Sequence, residues 1–476
     1  MNYLTALAGF YLYAHNHCVH TSISGMSPRR KTIVLVTCCL SLFISSMDAT
    51  IVNVAIPSIR TDLGASLSRL QWIVDIYTLT LASLLMLSGA TADRFGRKRM
   101  FRIGLTVFAL GSLLCSLAPT VDLLIGARFV QAVGGSMLNP IAMSIITTVF
   151  TGRVERARAV GIWGAVVGIS TALGPMIGGG LIDVLGWQSV FWINLPICVV
   201  ALALTTIFVP ESKSRTARGI DPLGQVLAVA VMFTLVFGLI ERRPEILAAT
   251  VVALVAFVYA ERRHRSPFID LRFFRSVPFS AATLTAVCAF IGLGAFLFSA
   301  SIYLQGVRHY SAVHTGLLYL PMALAMLICS PLSGRLVGRH GTRPSLVAAG
   351  ILMTVAAGLL TTLRPDTPVW QLAIMFAIFG AGFGTVNAPI TTAAVSGMPL
   401  DRAGAASAVA STSRQIGVSI GVALCGLLTG AGLWWVIAGF AATVVVLGVL
   451  ANTGWALRSR DSIAPLLEDK VSARVR

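Results

Sequence analysis

Four charged side chains stand within long apolar stretches, where a charge is costly. They are Asp48, Asp75, Arg128 and Arg414. Insertion scales put the cost of such a residue at the centre of a membrane helix at about 2.5–3.5 kcal/mol, which favours a functional role. A carboxylate beside a guanidinium is favoured in its charged form, and without that neighbour burial favours its protonated form. An aspartate and an arginine that meet in one conformation and part in another could therefore bind and release a proton. The alternative is a fixed ion pair that only braces helix packing.

Asp48 and Arg128 are the charges best placed to form such a pair. Counted from the outer ends of their predicted helices, they lie about eight and six residues deep, or about 12 Å and 9 Å at 1.5 Å per residue. The two charges therefore lie at similar levels and could meet if their helices are neighbours. Asp75 lies near the outer end of its own helix, where it could share the proton or attract a cationic substrate.

The elements that must position these charges are membrane-spanning helices. Of the 476 residues, 56% are hydrophobic and 11% are charged, against roughly 25% charged residues in soluble domains. A helix needs about 20 apolar residues to cross the hydrocarbon core. Runs of this size predict an all-α polytopic membrane protein with fourteen transmembrane helices, near 32–56, 72–91, 100–118, 122–150, 158–183, 189–209, 222–241, 245–260, 279–304, 315–333, 344–362, 369–392, 403–428 and 432–453.

The lysines and arginines fall mostly on one side of these predicted helices. With the N-terminus in the cytoplasm, 28 of the 36 lie in cytoplasmic segments and six in outer loops. Because Lys and Arg are retained in cytoplasmic loops, this distribution predicts a plasma-membrane protein with both termini in the cytoplasm. It also accounts for the formal charge of +18, so no nucleic-acid partner is expected.

Two segments of the chain resemble each other. GATADRFGRKR begins at Gly89, and GRLVGRHGTR begins 245 residues later at Gly334. Parallel halves with a site between them near the midplane are typical of alternating-access transporters. We therefore expect two six-helix halves at 32–209 and 279–453, an inserted helix pair with flanking loops at 210–278, and cytoplasmic tails at 1–31 and 454–476.

The first of these segments resembles the signature loop of the major facilitator superfamily, GxxxDRxGRK. Its matching residues are Gly89, Asp93, Arg94, Gly96, Arg97 and Lys98. Glycines permit close helix approach and tight turns, Asp93 can accept a hydrogen bond from a neighbouring helix end, and the arginines can pair with acids of the other half. The resemblance implies a gate loop that holds the cytoplasmic side shut in the outward-facing state, whereas the alternative is a basic loop that binds lipid headgroups. Gly338 replaces Asp93 in the second copy, so the gate should be asymmetric.

Further motifs resemble the fourteen-span drug:proton antiporters of this superfamily. MDATIVNVAIP around Asp48 is similar to LDxTVVNVALP, and WQSVFWINLPI at 187–197 is similar to WRWIFxINxPI. RFVQAVGGS, which contains Arg128 and Gln131, is similar to RxxQGxGxA. The resemblance implies that the helices of Asp48 and Arg128 are neighbours. Together with their similar depths, this predicts that Asp48 is the exchangeable proton site and Arg128 its partner. The resemblance also suggests a cavity position for Gln131 and for Arg414, although Arg414 could equally brace helix packing.

A glycine-rich stretch resembles the motif restricted to antiporters, GxxxxxGPxxGG. Its matching residues are Gly168, Gly174, Pro175, Gly178 and Gly179. Proline removes one backbone hydrogen bond of a helix, and small residues allow membrane helices to pack closely. We therefore expect a bent helix with a close-packed neighbour.

These features predict a monomeric secondary transporter, a proton-coupled antiporter that lies in membrane lipid and exports small hydrophobic or cationic compounds. The second-half spans (279–453) contain no acid, which favours neutral or singly cationic substrates. The alternatives are an exporter of an endogenous metabolite, siderophore or lipid, and an uncoupled facilitator. No catalytic constellation, cofactor motif or P-loop is present, so an enzyme and direct use of ATP are not expected.

The N-terminal segment contains four possible metal ligands, His15, His17, Cys18 and His20. The preferred interpretation is an unstructured leader, or a true start at Met26, and the alternative is a metal-binding tail.

Overall fold

The computed structural model describes residues 26–213, 221–264, 267–398 and 400–463, and the described part of the chain is helical. The first helices are α1 (Pro28–Leu63), α2 (Leu67–Phe95), α3 (Arg97–Ser116), α4 (Val121–Val149), α5 (Arg153–Leu185), α6 (Ser189–Trp192), α7 (Asn194–Phe208), α8 (Pro222–Ile240) and α9 (Pro244–Arg263). The remaining helices are α10 (Val277–Ile302), α11 (Ala312–Leu318), α12 (Leu320–His340), α13 (Thr342–Leu360), α14 (Val369–Val395), α15 (Leu400–Leu427), α16 (Ala431–Leu450) and α17 (Gly454–Asp461). The histidine-rich segment at 15–20 lies outside the described residues.

The predicted all-α, polytopic architecture is confirmed. Twelve spans among the described residues are long and apolar enough to cross a membrane, and a thirteenth is α5, which is bent by 40° between Val154–Thr171 and Leu173–Leu185. The remaining expected crossing is α15, whose first side chains are not described. The structure therefore supports twelve to thirteen of the fourteen predicted crossings.

The helices extend beyond the apolar runs from which they were predicted, because polar capping residues lie outside the hydrocarbon core. Helix α1 begins at Pro28, where the Ser27 side chain accepts a hydrogen bond from the Arg30 backbone. The basic residues 29–31 therefore belong to the first turn of α1 and not to a separate tail. At the other end, Gly64 adopts φ 61°, a left-handed conformation that glycine accommodates without strain.

The spanning helices pack as two groups, α1–α7 and α10–α16, with the α8–α9 hairpin outside them. The two groups meet where α2 packs against α15 and where α5 packs against α11 and α12. Helix α8 lies on both α2 and α15, and α9 packs on α8. The hairpin therefore covers the seam between α2 and α15.

The two ends of the molecule differ. We call the end at which α1 begins and α2 finishes the basic end, and the end at which α1 finishes the opposite end. Near the opposite end, Asp183 of α5 accepts hydrogen bonds from the first backbone amides of α11, both at 3.2 Å, and Gln305 donates to the Val54 carbonyl at 2.9 Å. Gln71 of α2 also donates to the Val422 carbonyl of α15, at 2.6 Å. The structure is thus closed at the opposite end.

At the basic end, no described ion pair joins the first group to the second. Lys31 pairs with Glu155 at 3.1 Å, and Arg97 pairs with Asp93 at 2.9 Å. In the second group, Cβ atoms added at Gly334 or Gly338 of α12 would meet nothing within 4 Å. The hydrogen bonds that join the two groups at the opposite end therefore have no described counterpart at the basic end.

Candidate transport site

The centre of the first group contains a fully buried polar network around Asp48. One carboxylate oxygen accepts a hydrogen bond from Arg128 at 2.5 Å, and the other accepts from Gln131 at 2.8 Å and from Asn194 at 3.0 Å. Arg128 and Gln131 are three residues apart on α4, so they share one helix face. The structure thus brings Asp48 and Arg128 together and places Gln131 inside the same network, with no exposed surface.

The surroundings of Arg128 hold its guanidinium in a fixed position. The Nε group donates to the Ile73 carbonyl of α2 at 3.2 Å, and the guanidinium carbon lies 4.1 Å from the ring centre of Tyr77. The ring of Phe191 lies on another side, at 5.8 Å. An aromatic face attracts a cation, more strongly where water is excluded. Both charged groups therefore have hydrogen-bond or aromatic partners, which come from α1, α2, α4 and α7 and from the short helix α6.

Sequence reasoning assigned no role to three members of this environment: Ser112, Asn194 and Tyr77. Ser112 of α3 accepts a hydrogen bond from Gln131 at 2.8 Å, and Asn194 stands at the first residue of α7. Asn194 falls within the WQSVFWINLPI segment, so a polar side chain in an apolar run was the signal that could have identified it. Ser112 and Tyr77 carried no comparable signal.

Asp75 has a different environment at the seam between the two groups. Its side chain is fully buried in α2, and neither carboxylate oxygen has a hydrogen-bond partner. Close by, the hydroxyl of Thr78 lies 2.5 Å from the hydroxyl of Ser419 on α15. Asp75 is therefore separate from the Asp48 network and is covered by α15 in this conformation.

The loop between α2 and α3 makes its described polar contacts within the first group and the segment that follows it. Asp93 accepts from Arg97, which also donates to Thr148 at 2.5 Å. Asp93 accepts no described hydrogen bond from the backbone of a helix end, and the first turn of α3 is capped by Glu211, which accepts from the backbone amides of Lys98 and Arg99 at 3.1 and 3.3 Å. Gly96 adopts φ 106°, as the tight turn requires.

Two positions of this loop lack the contacts expected of them. A Cβ atom at Gly89 would meet only Pro140, at 3.9 Å, which is an ordinary contact. The Arg94 guanidinium lies over the ring of Phe95, at 5.7 Å from its centre. The cross-group pairs expected of the arginines would need the basic ends to meet, and this structure is closed at the other end.

The glycine motif packs α5 against both groups. A side chain at Gly174 or Gly178 would collide with α1, and one at Gly179 would collide with the backbone of α11 at Ala312. Gly316 of α11 returns this contact, because its own Cβ would collide with the Pro175 carbonyl. Gly168 has open space around it. The helix bends four residues before Pro175, because a proline ring clashes with the carbonyl of that residue.

Arg414 lies at the middle of α15, in the second group. It donates a hydrogen bond to the Thr391 hydroxyl of α14 at 2.6 Å, and its guanidinium lies 5.9 Å from the ring centre of Phe290 on α10. It forms no ion pair with any described acid. The structure therefore does not bring Arg414 near Asp48, Asp75 or Gln131 through any described contact.

Comparison with known proteins decides the family. The family model for the Major Facilitator Superfamily matches residues 38–422, which include the Asp48 network, the loop after α2, the glycine motif and Arg414. The chain belongs to the major facilitator superfamily.

Curated relatives in this superfamily include named resistance proteins. Multidrug resistance protein Stp of Mycobacterium tuberculosis is 36% identical over 415 residues, which cover 85% of this chain and 77% of the relative. The tetracenomycin C resistance and export protein of Streptomyces glaucescens is 35% identical over 421 residues, covering 86% and 78%. The methylenomycin A resistance protein of Streptomyces coelicolor is 34% identical over 394 residues, covering 81% and 82%.

The superfamily assignment and the fold together describe a multi-pass membrane transporter. In such a protein, charges buried at the middle of the helix bundle are candidates for a functional site. The described residues hold no group of three or more His, Cys, Asp or Glu side chains arranged as metal ligands.

Proposed function

We propose that this protein is a proton-coupled antiporter that exports small hydrophobic compounds, including drugs, across the plasma membrane. The names of its relatives support drug export, since they are resistance proteins and one is also named as an export protein. The single observation that supports proton coupling best is the buried Asp48–Arg128 contact. A carboxylate held by an arginine inside a transporter can exchange a proton when that contact loosens.

The basic end lies in the cytoplasm in this proposal, with both termini there. This orientation follows from the excess of Lys and Arg at that end, because such residues stay on the cytoplasmic side. The structure then represents an inward-facing state with its outer end closed. Substrate would enter from the cytoplasm or the inner leaflet, and the α1–α7 and α10–α16 groups would rock about it as a monomer.

The remaining motifs have roles in the same cycle. The loop from Gly89 to Lys98 would close the basic end in the outward-facing state, when its arginines reach the second group. The stripe of Gly174, Gly178 and Gly179 would let α5 pack tightly against α1 and α11 when the outer end closes. Asp75, covered at the α2–α15 seam, would be exposed when that seam opens outward and would carry a second proton.

The proposal is tested by a proton readout in proteoliposomes that hold a preset pH gradient. Lipophilic cations and neutral drugs are added, and the decay of the gradient is followed. We expect a substrate-evoked decay that vanishes in Asp48→Asn. Asp122→Asn is the matched control, because Asp122 is an exposed acid on the same α4 as Arg128 and pairs only with exposed Arg69.

A second variant covers the case in which Asp48→Asn folds poorly. That substitution leaves Arg128 as a buried charge without its counter-ion, which is destabilising. The double variant Asp48→Asn/Arg128→Gln removes both charges, and we expect it to fold but to move no protons. Substrate-evoked proton movement in the folded double variant would overturn the assignment of the proton to Asp48.

A further inference from the structure

Arg414 keeps accessible surface at mid-membrane depth. It lies halfway along α15 and is surrounded by protein, yet part of its side chain remains accessible. Its one described hydrogen-bond partner, Thr391, is itself exposed. An enclosed side chain that keeps accessible surface at this depth lines a cavity between helices, because a lipid-facing arginine at the membrane centre would be far more costly.

The charge of Arg414 is uncompensated within the described structure. Its Nε group is buried without a hydrogen-bond partner, and its Nη2 group donates only to the Thr391 hydroxyl. The helices of the second group contain one acid, Asp401 in the first turn of α15, which lies thirteen residues or about 20 Å along the helix from Arg414. The acids of the first group do not compensate it either, because Asp48 is held by Arg128 and Asp75 is covered at the α2–α15 seam. The cavity wall therefore carries one net positive charge.

Aromatic rings lie beside this charge. Phe290, which the guanidinium faces, packs edge-on against Phe383 of α14, with ring centres 4.9 Å apart. Phe383 in turn stacks on Phe379, at 6.5 Å. An unpaired guanidinium next to aromatic side chains offers charge-assisted hydrogen bonds to an anion and packing surface to a ring.

We propose that Arg414 and Phe290 form a subsite for aromatic compounds that carry one acidic group, a carboxylate or a phenolate. The acidic group binds the free donors of Arg414, and the ring packs against Phe290. This subsite rests on the proposed export function and deepens it by naming a substrate class. The sequence predicted neutral or singly cationic substrates, because the predicted spans of the second half contain no acid. That prediction did not take into account that Arg414 has no described counter-ion.

The test compares three probes that share one ring system: 2-naphthoate, its methyl ester and 2-naphthylmethylammonium. Binding to the purified full-length protein is measured by equilibrium dialysis in a nonionic detergent free of anionic lipid, so a lipid headgroup does not compete. We expect wild-type protein to bind the naphthoate at least tenfold more tightly than the ester or the cation. Arg414→Gln should lose at least tenfold for the naphthoate alone, and Arg414→Lys should retain part of the preference.

Arg243→Gln is the matched control, because Arg243 is exposed in the α8–α9 turn and pairs only with Glu245. It should bind all three probes as the wild type does. Equal binding of acid and ester by the wild type would overturn the subsite. So would an equal loss of both in Arg414→Gln, which would indicate that Arg414 braces α15 against α10 and α14.

Failure of the subsite is distinguishable from failure of the proposed function. If neutral drugs still evoke proton movement in proteoliposomes while the naphthoate preference is absent, the antiporter stands and the subsite falls. If the naphthoate preference depends on Arg414 but no compound evokes proton movement, the subsite stands and proton coupling falls.

Discussion

At the scale of single residues, the two aspartates have opposite surroundings. Asp48 accepts hydrogen bonds from Arg128, Gln131 and Asn194, so both of its oxygens are satisfied as an anion. Asp75 is equally buried but has no partner on either oxygen. An isolated buried carboxylate is costly as an anion, whereas its protonated form is tolerated. The two aspartates are therefore in different states in this conformation, one ion-paired and one without an ion pair.

Substituting each aspartate by asparagine should separate these states. Asp48→Asn leaves Arg128 unpaired and should cost about 3–5 kcal/mol, as expected for breaking a buried ion pair. Asp75→Asn breaks no described ion pair and should destabilise the protein much less than Asp48→Asn does. Thermal unfolding in detergent measures both, with Asp48→Asn/Arg128→Gln as the control that should recover much of the loss. Equal destabilisation by the two single substitutions would contradict the assigned states.

The Asp48–Arg128 contact could be predicted, because depth and charge could be counted along the chain and the family resemblance made the two helices neighbours. Asn194 was not assigned to the site, although a polar side chain in an apolar run was a signal for it. Tyr77 carried no such signal, because its role depends on the side chains that meet it. The sequence also suggested a cavity position for Gln131, which the structure instead places beside Asp48. Which polar residue faces a cavity depends on helix rotation, and spacing alone does not determine that.

At the scale of helices, the packing of α5 on α11 sets how closely the two groups approach at the opposite end. Gly179 touches the backbone of α11, whereas the adjacent Gly180 has open space around it. Backbone atoms of a packed helix cannot move aside as a flexible side chain can. A methyl group at Gly179 should therefore disturb closure, and a methyl group at Gly180 should not.

We predict that Gly179→Ala reduces transport strongly and that Gly180→Ala does not. Alanine at the open position should slightly stabilise α5, by about 0.5–1 kcal/mol, through its better helix propensity. Initial export rates from inside-out vesicles, normalised to protein content, measure the difference. Similar rates for the two variants would contradict the proposed close packing.

The α8–α9 hairpin joins the two groups at the closed end. Glu241 accepts hydrogen bonds from Ser68 at 2.6 Å and Trp72 at 3.0 Å, both on α2. The next residue, Arg242, donates to the Gly426 carbonyl of α15 and adopts an uncommon φ of 54°. Adjacent residues thus contact opposite sides of the α2–α15 seam, so the seam must break one of these contacts when it opens.

Arg242→Ala should therefore favour opening of the seam, while Arg243→Ala should not. The change can be followed by spin-label distances between exposed positions 60 and 366 in a cysteine-depleted protein. We expect the longer-distance population to grow in Arg242→Ala and to stay at the wild-type level in Arg243→Ala. No shift in either variant would indicate that the hairpin contact does not hold the seam.

The contact of Glu241 should also depend on external pH. Hydrogen bonds from Ser68 and Trp72 lower the pKa of Glu241 below its usual value of 4.5. A lowered pKa in the closed state means that the stabilisation is complete above the usual value and is lost as pH falls through the lowered one. In the same spin-label measurement, the seam should open more readily as external pH falls below about 4.5, and Glu241→Gln should remove this dependence. A dependence that persists in Glu241→Gln would assign it to another group.

At the scale of the whole molecule, hydropathy predicted the order of the helices and their approximate bounds. Long apolar runs leave few alternatives once the chain must cross a membrane repeatedly. The closed end could not be predicted, because the loop after α2 and the glycine motif of α5 are compatible with either state. The packing of Gly179 on α11 and the Gln71 contact with α15 are what identify the closed end. The conformation depends on contacts between residues that are far apart in the sequence.

The central claim is that a proton gradient drives export, and the most direct test is uphill transport. Proteoliposomes are given a pH difference of about one unit with the membrane potential clamped at zero, which supplies about 1.4 kcal/mol per proton. We predict that a neutral, non-titratable substrate accumulates on the acidic side, up to about tenfold for each proton exchanged. The Asp48→Asn/Arg128→Gln variant should only equalise the two sides. Equalisation by the wild type as well would contradict the account and indicate an uncoupled facilitator.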